Sequence, residues 1–252
     1  MQSLYGAIAN YKLKEIMILA DTVYQKVLAL ANKEQRGYIT PQEFNLFANQ
    51  AQMDIFEQYF YDLNQFKRIP GNETHYSDMV TMLEEKMDLL LDSESPVSSG
   101  PSNNHFSLAN DFYRLSEVRY GNPKVEVERL TNKEFNLVRS LNKKNLISPT
   151  LSRPVYYQKD TRIIMWPPDP DGVDDVNIIY YRKPVTVKWG YIVVQGKAIY
   201  NNSTTVNFEL HPSEEVELVI KILELAGIAT KDNSLYQVAS TEGIEDTQQE
   251  KR

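Results

Sequence analysis

DTVYQKVLALANKEQRGYITPQEFNLFANQAQMDIFEQYFYDLNQF, residues 21–66, reads as two capped helices joined by a turn. Asp21 is an N-cap residue, Val23, Val27, Leu30 and Ala31 make an apolar stripe, and Gly37 supplies a permissive turn position after them. Thr40-Pro41-Gln42-Glu43 places an N-cap hydroxyl, a proline at the first helical position and a carboxylate at the third, so two orphan backbone N–H groups gain acceptors. From there Phe44, Phe47, Ala48, Ala51, Ile55, Tyr59, Leu63 and Phe66 recur at three and four residues and line one face of a long helix. A helix pair cannot bury so many aromatics by itself. The face packs on the rest of the chain or on a neighbouring subunit, and Phe44, Phe47 and Tyr59 are its candidate partner-contact residues.

On the N-terminal side, residues 1–20 carry Ile8, Tyr11, Leu13, Ile16, Met17, Ile18 and Leu19, text that either lengthens the first helix or forms an amphipathic arm for a partner. On the other side Pro70-Gly71-Asn72 breaks the helical spacing. Met79, Leu83, Met87, Leu90 and Leu91 restore it in a third helix ending at Asp92. Residues 93–104, SESPVSSGPSNN, have no apolar period and read as an exposed loop or linker, with His105 joined to it. The period then shifts toward two. Phe112, Leu115, Val118 and Tyr120, followed by Gly121-Asn122-Pro123 and then Val125, Val127 and Leu130, predict two strands about a turn.

A second capping box, Thr131-Asn132-Lys133-Glu134, opens a short helix with Phe135, Val138 and Leu141 on one face. Short β-branched or aromatic stretches follow at 155–157, 161–166, 176–181, 191–194, 198–200 and 204–210, separated by turn residues such as Gln195-Gly196. Pro212-Ser213-Glu214-Glu215 begins an amphipathic helix through Val216, Val219, Ile220, Leu223 and Leu225, which Gly227 ends. The expected class is α+β. Three helices occupy residues 1–92, a loop or linker 93–104, and an antiparallel sheet or small sandwich with its late helix 105–230. A polar arm over 231–252 retains Leu235, Tyr236 and Val238 as apolar hooks and is partly disordered alone.

The 252 residues suffice for one large or two small domains, and the 16 tyrosines favour extensive semi-polar packing surfaces. A net charge of −7 argues against a basic grip on nucleic acid, and the lack of cysteine removes disulfides, thiolate metal sites and thiol nucleophiles. No apolar run approaches the ~20 residues that span a bilayer, and the first residues lack a signal-peptide pattern.

Candidate chemistry is thin. Asp169, Asp171, Asp174 and Asp175 resemble a calcium loop only loosely, since Gly172 arrives early and no distal Glu follows; a solvated turn is the expectation. His75, His105 and His211 lack metal-ligand spacing. Glu84-Glu85 and Glu214-Glu215 are adjacent within helical text, so their side chains diverge and each pair is expected on a solvated face. Lys143-Lys144, Arg182-Lys183 and Lys188, near Tyr180, Tyr181 and Trp189, are expected to be edge-strand charge beside packing aromatics rather than a stacking patch for single strands. No phosphate-cradling or nucleophile-elbow motif is present, so neither enzymatic activity nor a cofactor is expected.

Residues 31–60, ANKEQRGYITPQEFNLFANQAQMDIFEQYF, resemble the opening helices of connector or ring proteins in the neck of tailed bacteriophages, especially crAss-like podoviruses. DFYRL (111–115), SPTLSRPVYYQKDTRIIMWP (148–167), IIYYRKP (178–184) with Trp189, and HPSEEVELVIKILELAGI (211–228) continue the likeness in order. The resemblance implies a virion structural protein. Twelve copies would form a ring at the head–tail junction, assembled in the host cytoplasm and attached to or below the portal. It would contact neighbouring neck and tail proteins, pass double-stranded DNA through its lumen without specific binding, and touch no membrane. Adaptors of this kind often send a C-terminal arm into the portal, a role that would fall to Leu235, Tyr236 and Val238. Competing readings are a tail-tip module that binds a receptor or glycan, and a glycan hydrolase of the cell envelope.

Overall fold

The computed structural model describes residues 17–33, 39–68, 73–96, 104–121, 125–140, 148–168 and 176–229. The helices are α1 (Ala20–Lys33), α2 (Pro41–Arg68), α3 (Glu73–Asp88), α4 (Asn132–Ser140) and α5 (Glu215–Ala229). The strands are β1 (Leu91–Pro96), β2 (His105–Ser107), β3 (Phe112–Tyr120), β4 (Val125–Glu126), β5 (Glu128–Arg129), β6 (Val155–Lys159), β7 (Arg162–Trp166), β8 (Val176–Arg182), β9 (Tyr191–Val194) and β10 (Lys197–Tyr200). The class is α+β, as the sequence implies.

Both capping boxes form. Glu43 Oε2 accepts from the Thr40 N–H at 2.9 Å, and Thr40 Oγ1 accepts from the Glu43 N–H at 3.3 Å. The Thr131–Glu134 pair repeats this at 2.9 and 3.4 Å. In each, the backbone N–H and then the threonine hydroxyl hold the glutamate below the usual carboxylate range. The first helix behaves differently. The Leu19 carbonyl accepts from the Val23 N–H, so Leu19 is the N-cap residue and Asp21, expected there, sits inside the first turn. The orphan Ala20 N–H is satisfied instead by Asn207 Oδ1 at 3.2 Å, a partner sequence spacing cannot reveal. Ile18 lies in a bridge to Phe208, so residues 17–19 do not lengthen α1; residues 1–16, and Gly37, lie outside the described residues.

The chain divides into two compact units, one formed by the described residues up to 89 and from 184 onward, the other by those from 90 to 183. Composition had placed the division at 93–104. Strand pairing overrides composition there: Leu91–Pro96 is β1, so the third helix stops at Asp88, and the Asn104 carbonyl accepts from the Met165 N–H beside β2. His105 is therefore a strand residue, and residues 97–103 lie outside the described residues.

In the helical unit, Val23, Tyr24, Val27 and Ala31 of α1 and Phe44, Ala48, Ala51, Ile55 and Tyr59 of α2 are buried. Leu30 is exposed, and Tyr24 takes the place expected of it. Phe56 and Phe60, edge to face at 5.1 Å, widen the buried face of α2 beyond the predicted stripe. α5 packs against both α1 and α2 and buries Leu218, Val219, Ile222, Leu223 and Ala226. It continues through Gly227, expected to end it, to Ala229. A 3-10 turn over Pro212–Glu214 leads into it. Glu214 and Glu215 diverge as expected, but not onto a solvated face: Glu214 is buried against Lys86 at 2.6 Å, and Glu215 pairs with Lys26 at 2.9 Å. Residues 204–210 form no continuous strand; isolated bridges at Val206 and Phe208 follow a 3-10 turn over Asn202–Thr204.

The second unit is a small sandwich. Strand order is β1-β8-β3-β4 in one antiparallel sheet and β2-β7-β6-β5 in the other, where only β5 and β6 run parallel. Both sheets feed one core, with Leu115, Val118, Ile178 and Tyr180 from the first and Phe106, Tyr156, Ile163 and Met165 from the second. α4 covers the second sheet through Phe135 on Tyr157 (5.8 Å) and Arg139 over the Trp166 ring (5.2 Å). Arg182 ends β8, an interior strand, so it is not the edge charge expected.

The Tyr180 hydroxyl donates to Asp111 Oδ1 at 3.2 Å. Burial first, then hydrogen bonding and charge from Asp92 and Asp111, push this phenol above its ordinary value of 10.0. The folded state therefore holds the proton more tightly than the unfolded one. This stabilisation is complete below the unfolded value and is lost as pH rises through the folded one. Urea titrations at about pH 8 and about pH 11 should show a steep alkaline loss in the wild type and a shallower one in Tyr180→Phe. Equal slopes for the two proteins would contradict this assignment.

Candidate functional site

Residues 184–210, which precede α5 in the chain, form a distinctive surface of the helical unit, and α2 builds its foundation. Asn45, Asn49 and Gln52 stand four and three residues apart, on one helical face. Asn45 Oδ1 accepts from the Trp189 N–H at 2.7 Å while its Nδ2 donates to the Trp189 carbonyl at 3.3 Å. Asn49 treats Val187 the same way, at 2.7 and 2.9 Å. Gln52 Nε2 donates to the Val185 carbonyl at 3.0 Å, and its Oε1 accepts from the Glu209 N–H at 3.0 Å. Three side-chain amides thus stand in for a neighbouring β-strand along residues 185–189. The opposite edge pairs conventionally, since Lys188 and Val206 exchange both backbone hydrogen bonds at 3.1 and 2.8 Å.

This ladder fixes Trp189, which is buried. Its indole N–H donates to Asp21 Oδ1 at 2.8 Å, which accounts for the aspartate in the first turn of α1. Tyr24 lies 4.4 Å from the Trp189 ring on one side and contacts Phe44 at 4.7 Å. Tyr191 and Tyr200 approach the same indole at 5.8 and 5.7 Å. At Gly190 the chain passes so close to its neighbours that a Cβ would lie 2.7 Å from the Asn201 carbonyl oxygen, so only glycine fits.

From this root rises a two-stranded hairpin. β9 and β10 pair from Tyr191↔Tyr200 to Val194↔Lys197 and, among the described residues, join no other strand. Gln195 (φ 49°) and Gly196 (φ 77°) supply the two left-handed residues of a tight two-residue turn. Ile192 (50% exposed), Val194 and Ile199 lie on one face, while Val193 (67%) and Tyr200 lie on the other. Apolar β-branched side chains therefore meet solvent on both faces of a hairpin that has no third strand among the described residues.

The same unit has a second surface feature, a groove of about 550 Å³ between α2 and α5. Asp54, Glu57 and Glu224 make its wall acidic, relieved by Lys221, which pairs with Glu217 at 3.5 Å.

The candidate contact residues read from sequence separate into three groups. Phe44 and Tyr59 are core side chains of the helical unit and offer a partner no surface, because α5 packs on α2 and Tyr24 of α1 lies against the Phe44 ring. Phe47 is half-buried beside them. Leu235, Tyr236 and Val238, and Asp169, Asp171, Asp174 and Asp175, lie outside the described residues, as do Lys143 and Lys144. Burial of Trp189 removes it from any stacking patch. His211 Nδ1 accepts from the Ser213 N–H at 3.2 Å and so caps the turn before α5. Among the described residues no group of three or more His, Asp or Glu side chains is placed to hold a metal ion, and no helix is long and apolar enough to cross a membrane.

Strands 191–194 and 198–200 with their Gln-Gly turn are legible in sequence, but their exposure is not, because β-branched text reads equally well as core. The ladder left one overlooked signal: three amide side chains recurring at helical spacing beside an aromatic stripe. No protein-family model matches this chain, and no curated protein matches it.

Replacing Asn49 by alanine strips the buried Val187 of both backbone partners at a partly buried site. Asn49→Ala should lower unfolding free energy by about 2–4 kcal/mol. Gln50→Ala, which removes only an exposed contact to Asp54, should change it by less than about 0.5 kcal/mol. Urea denaturation of the two variants measures the contrast.

Proposed function

We propose that this chain is a structural subunit of a tailed-bacteriophage neck, one of twelve copies in a ring at the head–tail junction. The ring attaches to or below the portal, extends the DNA conduit and docks the tail. The carrying observation is the hairpin of β9 and β10, whose apolar side chains face solvent on both sides while its root is held by Trp189 and the amides of α2. An exposed apolar element on so firm a base supports an assembly role, since docking is what removes its surface from water. The ordered likeness of residues 31–60, 111–115, 148–167, 178–184 and 211–228 to neck proteins supports the location.

The role is mechanical. A net charge of −7 suits a wall past which DNA slides, because few phosphates are neutralised and little counterion release holds the duplex in place. In this reading the segment 231–252 docks on the portal through Leu235, Tyr236 and Val238.

Purified virions labelled at this chain should show it at the head–tail junction by electron microscopy, in twelve copies by quantitative mass spectrometry. A tail-tip location as a trimer or a monomer would replace this reading with the receptor- or glycan-binding one. Deleting residues 230–252 should abolish incorporation into particles while leaving the far-ultraviolet circular dichroism of the purified chain unchanged. Normal incorporation of the shortened chain would remove the arm from the mechanism.

A further inference from the structure

The hairpin and the acidic groove are complementary, and they lie toward opposite ends of α2. Between residues 184 and 206 the only charged side chains are Lys188 and Lys197; no aspartate or glutamate occurs there. Lys197 flanks the Gln195-Gly196 turn and so sits at the hairpin tip, opposite Val194. Among the described residues the groove lining includes three carboxylates, Asp54, Glu57 and Glu224, and one ammonium, Lys221, which has Glu217 beside it. Its floor is not wholly polar. Leu225 and the 55% exposed Tyr61 line it, so an apolar side chain entering beside a lysine finds apolar contact.

The direction of the chain keeps the two features apart. Val185 sits by Gln52, Val187 by Asn49 and Trp189 by Asn45, so residues 185–189 run antiparallel to α2 and leave it at its N-terminal end. β9 begins two residues later. The groove begins at Asp54, nine residues C-terminal to Asn45, and extends to Tyr61, which at about 1.5 Å per residue places it about 14–24 Å along the helix. The exposure of Val193, Ile192 and Ile199 shows directly that the hairpin does not occupy its own groove.

We infer that the hairpin tip of one copy, led by Lys197 and Val194, docks into the α2–α5 groove of the next. This rests on the ring reading for its premise that copies of the chain meet, and it names the two surfaces that meet. The contact is heterologous, with a different surface on each partner, which is the type that propagates and closes into a ring when the rotation allows. The groove volume lies within the range of small-ligand clefts, so it takes the tip, while Ile192 and Ile199 pack along the rim. Lys197 gives the contact its direction, since a tip without carboxylates enters a groove whose described lining holds three carboxylates and the single ammonium of Lys221.

A chain without cysteine permits a direct test by site-specific disulfide formation. The full-length double variant Val194→Cys/Gln58→Cys, oxidised at high protein concentration, should give a ladder of covalent multimers on a non-reducing gel. The two single variants should cross-link to each other only when mixed. A control pairing Val194→Cys with Leu137→Cys, an exposed position on α4, should give no ladder. Adding Lys197→Glu should lower the ladder yield about tenfold without altering circular dichroism, because the tip then brings a carboxylate against those of the groove. If Val194→Cys alone forms homodimers as readily as the mixture cross-links, hairpins meet hairpins and the groove assignment is overturned. If the chain is incorporated at the head–tail junction and Lys197→Glu or a Val193→Asp/Ile199→Asp variant is incorporated equally well, the docking inference falls while the ring reading stands. Absence of the chain from that junction, with the ladder still formed, removes the ring reading and leaves the contact.

Discussion

The helical unit depends on a lattice match between a helix and an extended chain. Asn45, Asn49 and Gln52 span seven residues of α2, a rise of about 10.5 Å, while residues 185–189 advance about 13 Å over four. The two repeats nearly agree, and the longer side chain stands at the third position, where the shortfall has accumulated. Each asparagine amide offers one acceptor and one donor to the N–H and C=O of a single residue, so Val187 and Trp189 are paired without a neighbouring strand. With those groups satisfied, their side chains can be buried, and Trp189 then gathers Asp21, Tyr24, Tyr191 and Tyr200 around it.

Polar groups recur at the other joints of this unit, with the same logic. Gln52 and Glu214 are both buried, one answered by backbone groups and the other by Lys86. Glu214 and Lys86 tie the end of α3 to the turn preceding α5, while Lys26 and Glu215 tie α1 to the first residue of α5. Burying such groups contributes little net stability, yet each constrains geometry, because a displaced partner leaves an uncompensated charge or amide behind. The apolar face of α2 supplies the driving force, and the amides and ion pairs select which neighbours it accepts.

Much of the secondary structure was legible because its signals are local. Thr40–Glu43 and Thr131–Glu134 mark helix starts through bonds that reach three residues, and the β-branched and aromatic text of 155–157, 161–166 and 176–181 between turn residues marks paired strands. The misreadings fall where a distant group takes over a local role. Asn207, not Asp21, satisfies the start of α1; β8 captures 91–92 from the expected third helix and 93–96 from what composition presents as a linker; Lys86 draws Glu214 out of solvent. The candidate contact surface shifted for a related reason. Aromatic bulk at Phe44 and Tyr59 is covered by the rest of the unit, whereas Ile192, Val193 and Ile199 stay exposed, and their residue types signal strand and carry no information on what lies above them.

By itself the sequence determined the α+β class, both capped helix starts, the strand text at 191–194 and 198–200 with its turn, and the aromatic face of α2, because periodicity and capping depend on bonds among residues a few positions apart. Tertiary structure alone decided that residues after 183 return to the N-terminal helices, that three amides of α2 replace a strand, and that the hairpin stays uncovered. Those outcomes rest on partners separated by more than a hundred residues, such as Asn49 and Val187. Which polar group meets which, and which apolar face is left without a neighbour, is settled only when the chain has folded back on itself.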